Sequence, residues 1–458
     1  MQVITRFAPS PTGFLHIGSA RTALFNYLFA KHHQGQFLLR IEDTDKARST
    51  EDATKAIIKG LDWLGLHHDG KIVYQSKNQV RHQQVATELY QKNHAYYCDC
   101  TPDMLEAARE AALKTGGKPG YNGRCRERGL TAGALRLKTP QSGETTLQDM
   151  VQESVTIQND QIDDMILLRT DGSPTYMLSV VVDDHDMHIT HIIRGDDHLT
   201  NAFRQHHIYE ALHWGVPTYA HIPLIHGEDG AKLSKRHGAI GIEAYEEMGY
   251  LPIALRNYLL RLGWGHGDDE IISDAQAIEW FDLQGVGKSP ARFDFKKLDH
   301  LNGHYLREMD NHALFNLIKG DIQALVPDIP DTRMARIEQG MNGLKQRATH
   351  VKELAQNALF YVQNRPIPLS EKAATQIKEG RVLLQDLHTA LADVSPWTGS
   401  TLEQCLRAYA DKTDIKLGKI AQVLRAALTG SHISPSMFEI MDVLGKEEAL
   451  NRLKDPLS

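Results

Sequence analysis

Three groups of residues in this chain combine types and spacings that can do chemistry. His16 stands in the stretch RFAPSPTGFLHIGSARTALFNYLFA (residues 6–30), beside Gly18 and at the end of a turn stiffened by prolines. An imidazole there, next to a helix start with unpaired N–H groups and a residue without a side chain, suits a phosphate. The loop 227–238 (GEDGAKLSKRHG) puts Lys232, Lys235 and Arg236 within five residues, with Leu233 and Ser234 between them. Such a run serves as a solvated face or, with glycines on both sides, as a mobile phosphate clamp; it lacks the GxxxxGK[ST] spacing of a Walker loop. Cys98, Cys100 and Cys125 form the third group. Two thiols one residue apart reach one ion and a distant third closes the loop between them, with Tyr121, Glu127 or water as the fourth ligand. Burial of small free thiols is the alternative.

The elements that must position these groups read as α/β. Val3, Ile4 and Phe7 suit a strand, Pro9 and Pro11 fix the backbone after it, and Gly13 relaxes it. A helix is predicted to open near Gly18 and Ser19, with Ala20, Ala23, Leu24, Tyr27 and Leu28 as its apolar stripe. Residues 36–41 (QFLLRI) predict a second strand, followed at once by Glu42, Asp43, Thr44 and Asp45. Acids past a strand's carboxyl end lie where open α/β sheets bind ligands. Glu42 is the ligand candidate, while Asp45 or Ser49 is expected to cap the helix carrying Ala53, Ile57, Leu61 and Leu64. A β-branched run at 188–193 predicts a further strand, ending in Arg194-Gly195-Asp196-Asp197-His198 and a helix over 199–213. Arg194 at that end can hold a carboxylate in bidentate fashion, or pair with Asp183 or Asp184. His185 and His188 beside Asp184 lack a dependable metal-ligand spacing.

At 458 residues the chain has room for two or three domains. Its net charge of −7 argues only mildly against nucleic acid, because binding needs a local basic surface and not a basic total. No window offers 18 uncharged apolar residues, and residues 1–30 lack the charged start and apolar run of a signal peptide. The expectation is therefore a cytoplasmic protein without a membrane partner. Residues 74–183 change periodicity and read as an insertion into the first α/β domain; beyond about residue 301 the pattern is helical, with runs at 333–365, 369–393, 400–411 and 416–428.

Taken together, His16-Ile17-Gly18-Ser19 and Lys232-Leu233-Ser234-Lys235-Arg236 resemble the two signatures of class I aminoacyl-tRNA synthetases. The stretches RFAPSPTG, RIEDTD, PTYMLSVVVDD, HIIRGDDH and KLSKRHGA resemble the glutamyl branch, and the likeness runs on through GYLPIALRNYLLRLGW, LNGHYLRE and LGKIAQVLRAALTG. Each motif alone is weak; in this order over nearly the whole chain they are specific.

The resemblance implies a Rossmann-like catalytic domain with a doubly wound parallel sheet (1–73 and 184–245), an α+β acceptor-stem insertion (74–183), a stem-contact helical region (246–308) and an all-α anticodon-binding domain (309–458). It implies ligation of L-glutamate to tRNA(Glu) through glutamyl-adenylate, with ATP and Mg2+. By resemblance His16, Gly18, Asp197, Leu233 and Lys235 bind ATP, with Lys232, Ser234 and Lys235 acting on the departing pyrophosphate. Arg6, Ala8, Ser10, Glu42, Tyr176 and Arg194 form the glutamate pocket, with Arg6 and Arg194 on the carboxylates and Glu42 on the ammonium. Some relatives have asparagine four residues after that tyrosine; here the position is Val180. Family precedent also puts a structural Zn2+ on Cys98, Cys100, Tyr121 and Cys125, since the position where other relatives place histidine is Glu127. Arg347 falls where the family reads the third anticodon base, so charging of tRNA(Gln) as well stays open. A monomer is expected.

Overall fold

The computed structural model describes residues 2–45, 48–116, 120–231, 233 and 240–457. It divides into two compact units, Met1–Ala244 with Arg256–Asp294, and Tyr245–Leu255 with Phe295–Ser458.

The first unit is α/β. Strands β1 (Ile4–Phe7), β2 (Gln36–Ile41) and β3 (Val73–Tyr74) pair in parallel, with Ile4 opposite Gln36 and Arg40 opposite Val73. Parallel neighbours need a crossover. Helix α1 (Ile17–His32) supplies the first one, and it is apolar nearly all round, burying Ala20, Leu24, Phe25, Leu28 and Phe29. Its N-cap is His16, one residue earlier than the apolar stripe predicts, and Lys31 and His32 close its last turn. Helix α2 (Glu51–Trp63) provides the second crossover. Its cap is Thr50, whose Oγ1 accepts from Ala53 N at 3.1 Å, and not Asp45 or Ser49 as expected. The Asp45 carboxylate is taken instead by Arg48 Nε at 2.6 Å.

After β2 and β3 come helix α3 (Gln79–Gln91), strand β4 (Ala95–Cys98), helix α4 (Pro102–Lys114) and strand β5 (Ala134–Leu137). Strand β5 lies between β4 and β8 (Ile166–Leu168) in an antiparallel sheet. Between β5 and β8 runs a hairpin, β6 (Glu144–Asp149) and β7 (Glu153–Gln158). Helix α5 (Tyr176–Asp186) leads to β9 (His191–Gly195), then α6 (Leu199–Leu212) and β10 (Thr218–Ile222). The strand expected at 188–193 thus begins later, because α5 extends to Asp186 and the chain turns at His188 with φ 56°. Strands β9 and β10 are parallel, and β10 also pairs with β6 at Tyr219 and Asp149. The hairpin at 144–158, inside the segment that reads as an insertion, therefore hydrogen-bonds onto the same strand as β9. Thr190 joins the two sheets: its N donates to Ile4 O at 2.9 Å and its Oγ1 accepts from Ile4 N at 2.8 Å. Strand β1 consequently has β2 on one side and the start of β9 on the other, the arrangement that opens a crevice at the carboxyl ends of a doubly wound sheet.

The second unit is helical among its described residues. Phe295–Glu308, Asn311–Leu325, Asp331–Gln339, Val351–Ala358, Glu371–Glu379, Arg381–Ala392, Gly399–Thr413, Leu417–Thr429, Met437–Leu444 and Lys446–Lys454 pack around Leu314, Ile337, Leu354, Leu384, Leu406, Ile420, Leu424 and Met441. The last two of these helices lie beyond the periodic runs seen in the sequence.

Candidate active site

A cleft of about 1020 Å3 opens at the carboxyl ends of β1, β2 and β9. It is lined by Arg6, Ala8, Ser10, His16, Gly18, Glu42, Tyr176, Arg194 and Asp197, so residues picked from four separate stretches of sequence meet in one place. Leu233 is half-buried and is not among the lining residues. Lys232, Ser234 and Lys235 lie outside the described residues.

Beneath the cleft is a buried ionic network. Asp184 accepts from Arg6 Nε at 3.0 Å, from Arg6 Nη2 at 3.3 Å and from Arg40 Nη1 at 2.6 Å. Arg40, fully buried, also donates from Nη2 to Glu42 Oε1 at 3.2 Å. Asp183 is held by Gln75 Nε2 (2.8 Å), Asn78 Nδ2 (2.8 Å) and His82 Nε2 (2.9 Å). Two acids in the last turn of α5 oppose the helix dipole, and the two arginines reverse that. Burial raises the cost of charging Asp184, yet Arg40 and Arg6 hold its carboxyl below the usual range. For Glu42 burial wins over Arg40 and Arg6, and its pKa is pushed up. The alternative reading of Arg194 as a partner of Asp183 or Asp184 is therefore wrong: those carboxylates are already saturated by residues closer to them.

Arg194 instead donates from Nε to His221 Nε2 at 3.1 Å and from Nη2 to His198 O at 3.4 Å. Its Nη1 is buried and has no hydrogen-bond partner, the state of a cation waiting for an anion in the cleft it lines. Tyr176 Oη bonds His198 Nδ1 at 3.1 Å, and burial raises the phenol's pKa. Val180 is buried in α5 and is not among the cleft-lining residues.

His16 caps helix α1 and also lines the cleft. Its Nδ1 accepts from Ser19 N at 3.4 Å and its Nε2 lies 3.0 Å from Ser19 Oγ, so the imidazole caps α1 while lining the cleft. Gly18 keeps that ring in place: a Cβ there would come within 3.3 Å of the imidazole. The pair His-x-Gly thus aims a cap and a helix N-terminus at the same space.

The cysteines converge on a second site. The ligand atoms of Cys98, Cys100 and Cys125 all lie within 4.8 Å of one another, with the Cys100 and Cys125 sulfurs 3.6 Å apart. Tetrahedral zinc with Zn–S bonds of about 2.3 Å separates its sulfurs by about 3.8 Å, so the donor set fits. Tyr121 Oη is 3.5 Å from Cys98 Sγ and accepts from Cys125 N at 2.9 Å. Glu127 is 85 % exposed and makes no bond to a sulfur among the described residues, whereas Tyr121 Oη lies beside Cys98 Sγ and Asp99 Oδ1 accepts from Cys125 Sγ at 3.3 Å. Burial disfavours the Cys98 thiolate, but hydrogen bonds from Tyr121, Cys100 N and Arg136 outweigh it and bring the thiol down to about 7. Burial and the neighbouring sulfurs hold Cys100 up at about 12.

Comparison with known proteins decides the family. Residues 2–300 match the catalytic domain of the class I tRNA synthetases (E and Q), and residues 309–457 match an anticodon binding domain. The chain belongs to the class I glutamyl and glutaminyl tRNA synthetases. It is 56 % identical over 466 residues to glutamate–tRNA ligase 2 of Rhodospirillum rubrum, covering 100 % of each, and 57 % identical over 466 residues to its counterpart in Paramagnetospirillum magneticum, covering 100 % of this chain and 98 % of that protein. A crystal structure of a glutamate tRNA ligase from Elizabethkingia meningosepticum, in complex with its amino acid, superposes with a TM-score of 0.88 at 31 % identity over 100 % of this chain and 99 % of that one.

Sequence reasoning about this synthetase missed the groups that hold the pocket's shape: Arg40, Gln75, His82, Asp149 and His221. Arg40 was visible as a cation inside an apolar strand. The others carry no local signal, because their partners lie 69 or more residues away in most cases, as with Asp149 and His221 at a separation of 72.

Proposed function

We propose that the chain is a glutamate–tRNA ligase whose amino-acid pocket is formed by Arg6, Ala8, Ser10, Glu42, Tyr176 and Arg194. The observation that carries the reading is the buried, unpartnered Nη1 of Arg194 in the same cleft as Arg6 and Glu42. Two guanidiniums meet the substrate's two carboxylates, and Glu42 takes the ammonium. Glutamine would leave a buried cation facing a neutral amide, which is the basis of discrimination.

In the first step an oxygen of glutamate's α-carboxylate attacks the α-phosphorus of ATP; the bond to the bridging oxygen breaks and pyrophosphate leaves. In the second, a hydroxyl of the terminal adenosine of the tRNA attacks the acyl carbon and AMP departs. Both steps depend on alignment and neutralised phosphate charge more than on a general base. The α1 N-terminus with His16 and Gly18 holds the phosphates, Asp197 and Leu233 contribute to the nucleotide site, and Lys232, Ser234 and Lys235 meet the pyrophosphate as it leaves. Mg2+ would accompany the nucleotide and supply charge neutralisation to its phosphates. Among the described residues the one cluster able to cage a metal by itself is the cysteine trio.

Cys98, Cys100, Cys125 and Tyr121 hold a structural Zn2+ that sets the shape of the 74–183 segment. In the helical unit, Arg347 lies close enough to Arg425 to lower that residue's basicity, which burial already depresses. Two arginines held together suit anticodon phosphates and splayed bases. Lys288 is paired with Glu153 (2.6 Å) and Lys352 with Asp321 (2.9 Å), so neither is the first choice for RNA contact. Among the described residues no helix is long and apolar enough to cross a membrane; we read the enzyme as a cytoplasmic monomer. The test is glutamylation of purified tRNA(Glu) and tRNA(Gln) side by side with labelled glutamate, ATP and Mg2+. Charging of tRNA(Glu) alone makes the enzyme discriminating; charging of both implies an amidotransferase downstream; charging of neither overturns the reading.

A further inference from the structure

We propose that Asp149 and His221 form a positioning pair that sets the orientation of the Arg194 guanidinium in the glutamate pocket. The inference rests on the reading of Arg194 as a substrate carboxylate ligand. His221 sits in β10 directly beside Arg194 in the parallel register, and Asp149 ends β6 on the other side of β10. His221 Nδ1 is 2.6 Å from Asp149 Oδ2, and His221 Nε2 is 3.1 Å from Arg194 Nε. All three side chains are buried, His221 completely.

The polarity of this chain is determined by its ends. Asp149 accepts only, so the imidazole carries its proton on Nδ1 and offers a lone pair at Nε2 to the Arg194 N–H. A proton on Nε2 would set two N–H groups against each other. Asp149 is itself immobile, accepting from Val151 N (2.9 Å), Gln152 N (2.8 Å) and His221 N (3.1 Å). Gln152 Nε2 closes the clasp on His221 O at 3.0 Å. Burial keeps His221 below its ordinary basicity against the pull of Asp149, which maintains the neutral ring the arrangement needs.

Arg194 has little else to orient it. Its contact to His198 O is 3.4 Å long and its Nη1 is unpartnered, so the Nε bond is the short anchor that decides which way the fork faces. The consequence is that the β6–β7 hairpin, with no residue among those lining the cleft, determines glutamate affinity through one imidazole.

The experiment compares wild type with His221→Phe, His221→Gln, Asp149→Asn and Arg194→Ala in tRNA-dependent ATP–pyrophosphate exchange. It reads KM separately for glutamate, ATP and tRNA, with thermal unfolding as the folding control. His221→Phe, which removes the acceptor, is expected to raise KM for glutamate about tenfold or more while leaving KM for ATP and tRNA near wild type. His221→Gln, whose Oε1 can accept from Arg194, is expected to recover most of that loss. Asp149→Asn, which frees the tautomer, is expected to fall between them. Wild-type KM for glutamate in His221→Phe, or equal loss in the Phe and Gln variants, overturns the pair. Should His221→Phe not fold, a wild-type KM in Asp149→Asn overturns it as well. If Arg194→Ala leaves KM for glutamate unchanged, the pocket reading fails and takes the pair with it; if Arg194→Ala raises it and the His221 variants do not, the pair alone fails.

Discussion

The floor of the cleft and the cysteine site are built on opposite principles. In the floor, Asp184 joins Arg6 to Arg40, Arg40 reaches on to Glu42, and Gln75 helps to hold Asp183, while Arg6 and Glu42 also line the cleft. At the cysteine site three sulfurs are brought together by strand β4 and the loop at 120–126, and only weak sulfur contacts hold them. The first is an ion-paired scaffold, and beside it Arg194, whose buried Nη1 has no hydrogen-bond partner, lines the cleft. The second has the spacing of a metal site, its three sulfurs lying within 4.8 Å of one another. The contrast predicts where each region is sensitive: the floor to loss of the Asp184 carboxylate that Arg6 and Arg40 share, the cysteine site to a chelator.

The largest effect should come from Asp184→Asn. It strips two buried guanidiniums of their shared carboxylate, and breaking a buried pair costs about 3–5 kcal/mol. Chemical denaturation that shows less than about 1 kcal/mol of loss would remove the contrast with the cysteine site. Next is Arg194→Ala, expected to reduce kcat/KM for glutamate by about 100-fold with thermal stability near wild type, measured by exchange kinetics. That variant separates Arg194, which makes no ion pair with Asp183 or Asp184, from Arg6 and Arg40, which are ion-paired to Asp184.

Removing metal with a chelator, or Cys125→Ser, should release bound zinc on elemental analysis and lower the melting temperature of the first unit. KM for tRNA should rise more than KM for ATP. Equal changes in both would mean that the cysteine site supports the cleft rather than the segment it belongs to.

Glu42→Gln sharpens the comparison further. Its Oε1 still accepts from Arg40, and the buried charge is gone, so folding stability should hold or increase while glutamate activation falls. The sign follows from the raised pKa: the native state binds the proton more tightly than the unfolded chain. The contribution of Glu42 to stability therefore declines as pH rises from about 4.3, the unfolded value, through its raised native one. Substrate binding, which needs the carboxylate, runs the other way and weakens as pH falls toward that value. The smallest effect is Thr50→Ala, which loses the α2 cap for about 1 kcal/mol by denaturation and should leave KM values unchanged.

Much of this was legible in the chain. The helix beginning at Ile17, the strand QFLLRI and the acid after it, and the cation near the end of β9 each follow from periodicity, turn residues and position within a few residues. Position at a strand's carboxyl end singled out Glu42 and Arg194, whereas Arg6 and Tyr176 entered only through the resemblance to the glutamyl branch. The local rules failed at the α2 cap, where Asp45 or Ser49 was expected and Thr50 stands, the Asp45 carboxylate being taken by Arg48.

What the amino-acid order determined by itself is which residues carry chemistry and at which end of which element they stand, because caps, turns and apolar periods are interactions over three or four positions. What only the tertiary structure decided is partnership. Arg6 meets Asp184 across 178 positions and Arg194 meets His221 across 27, choices made by strand register and crossover. A guanidinium can satisfy any carboxylate that reaches it, so the sequence left Arg194 two aspartates to choose from. Packing gave those aspartates to other residues and left Arg194 Nη1 without a partner.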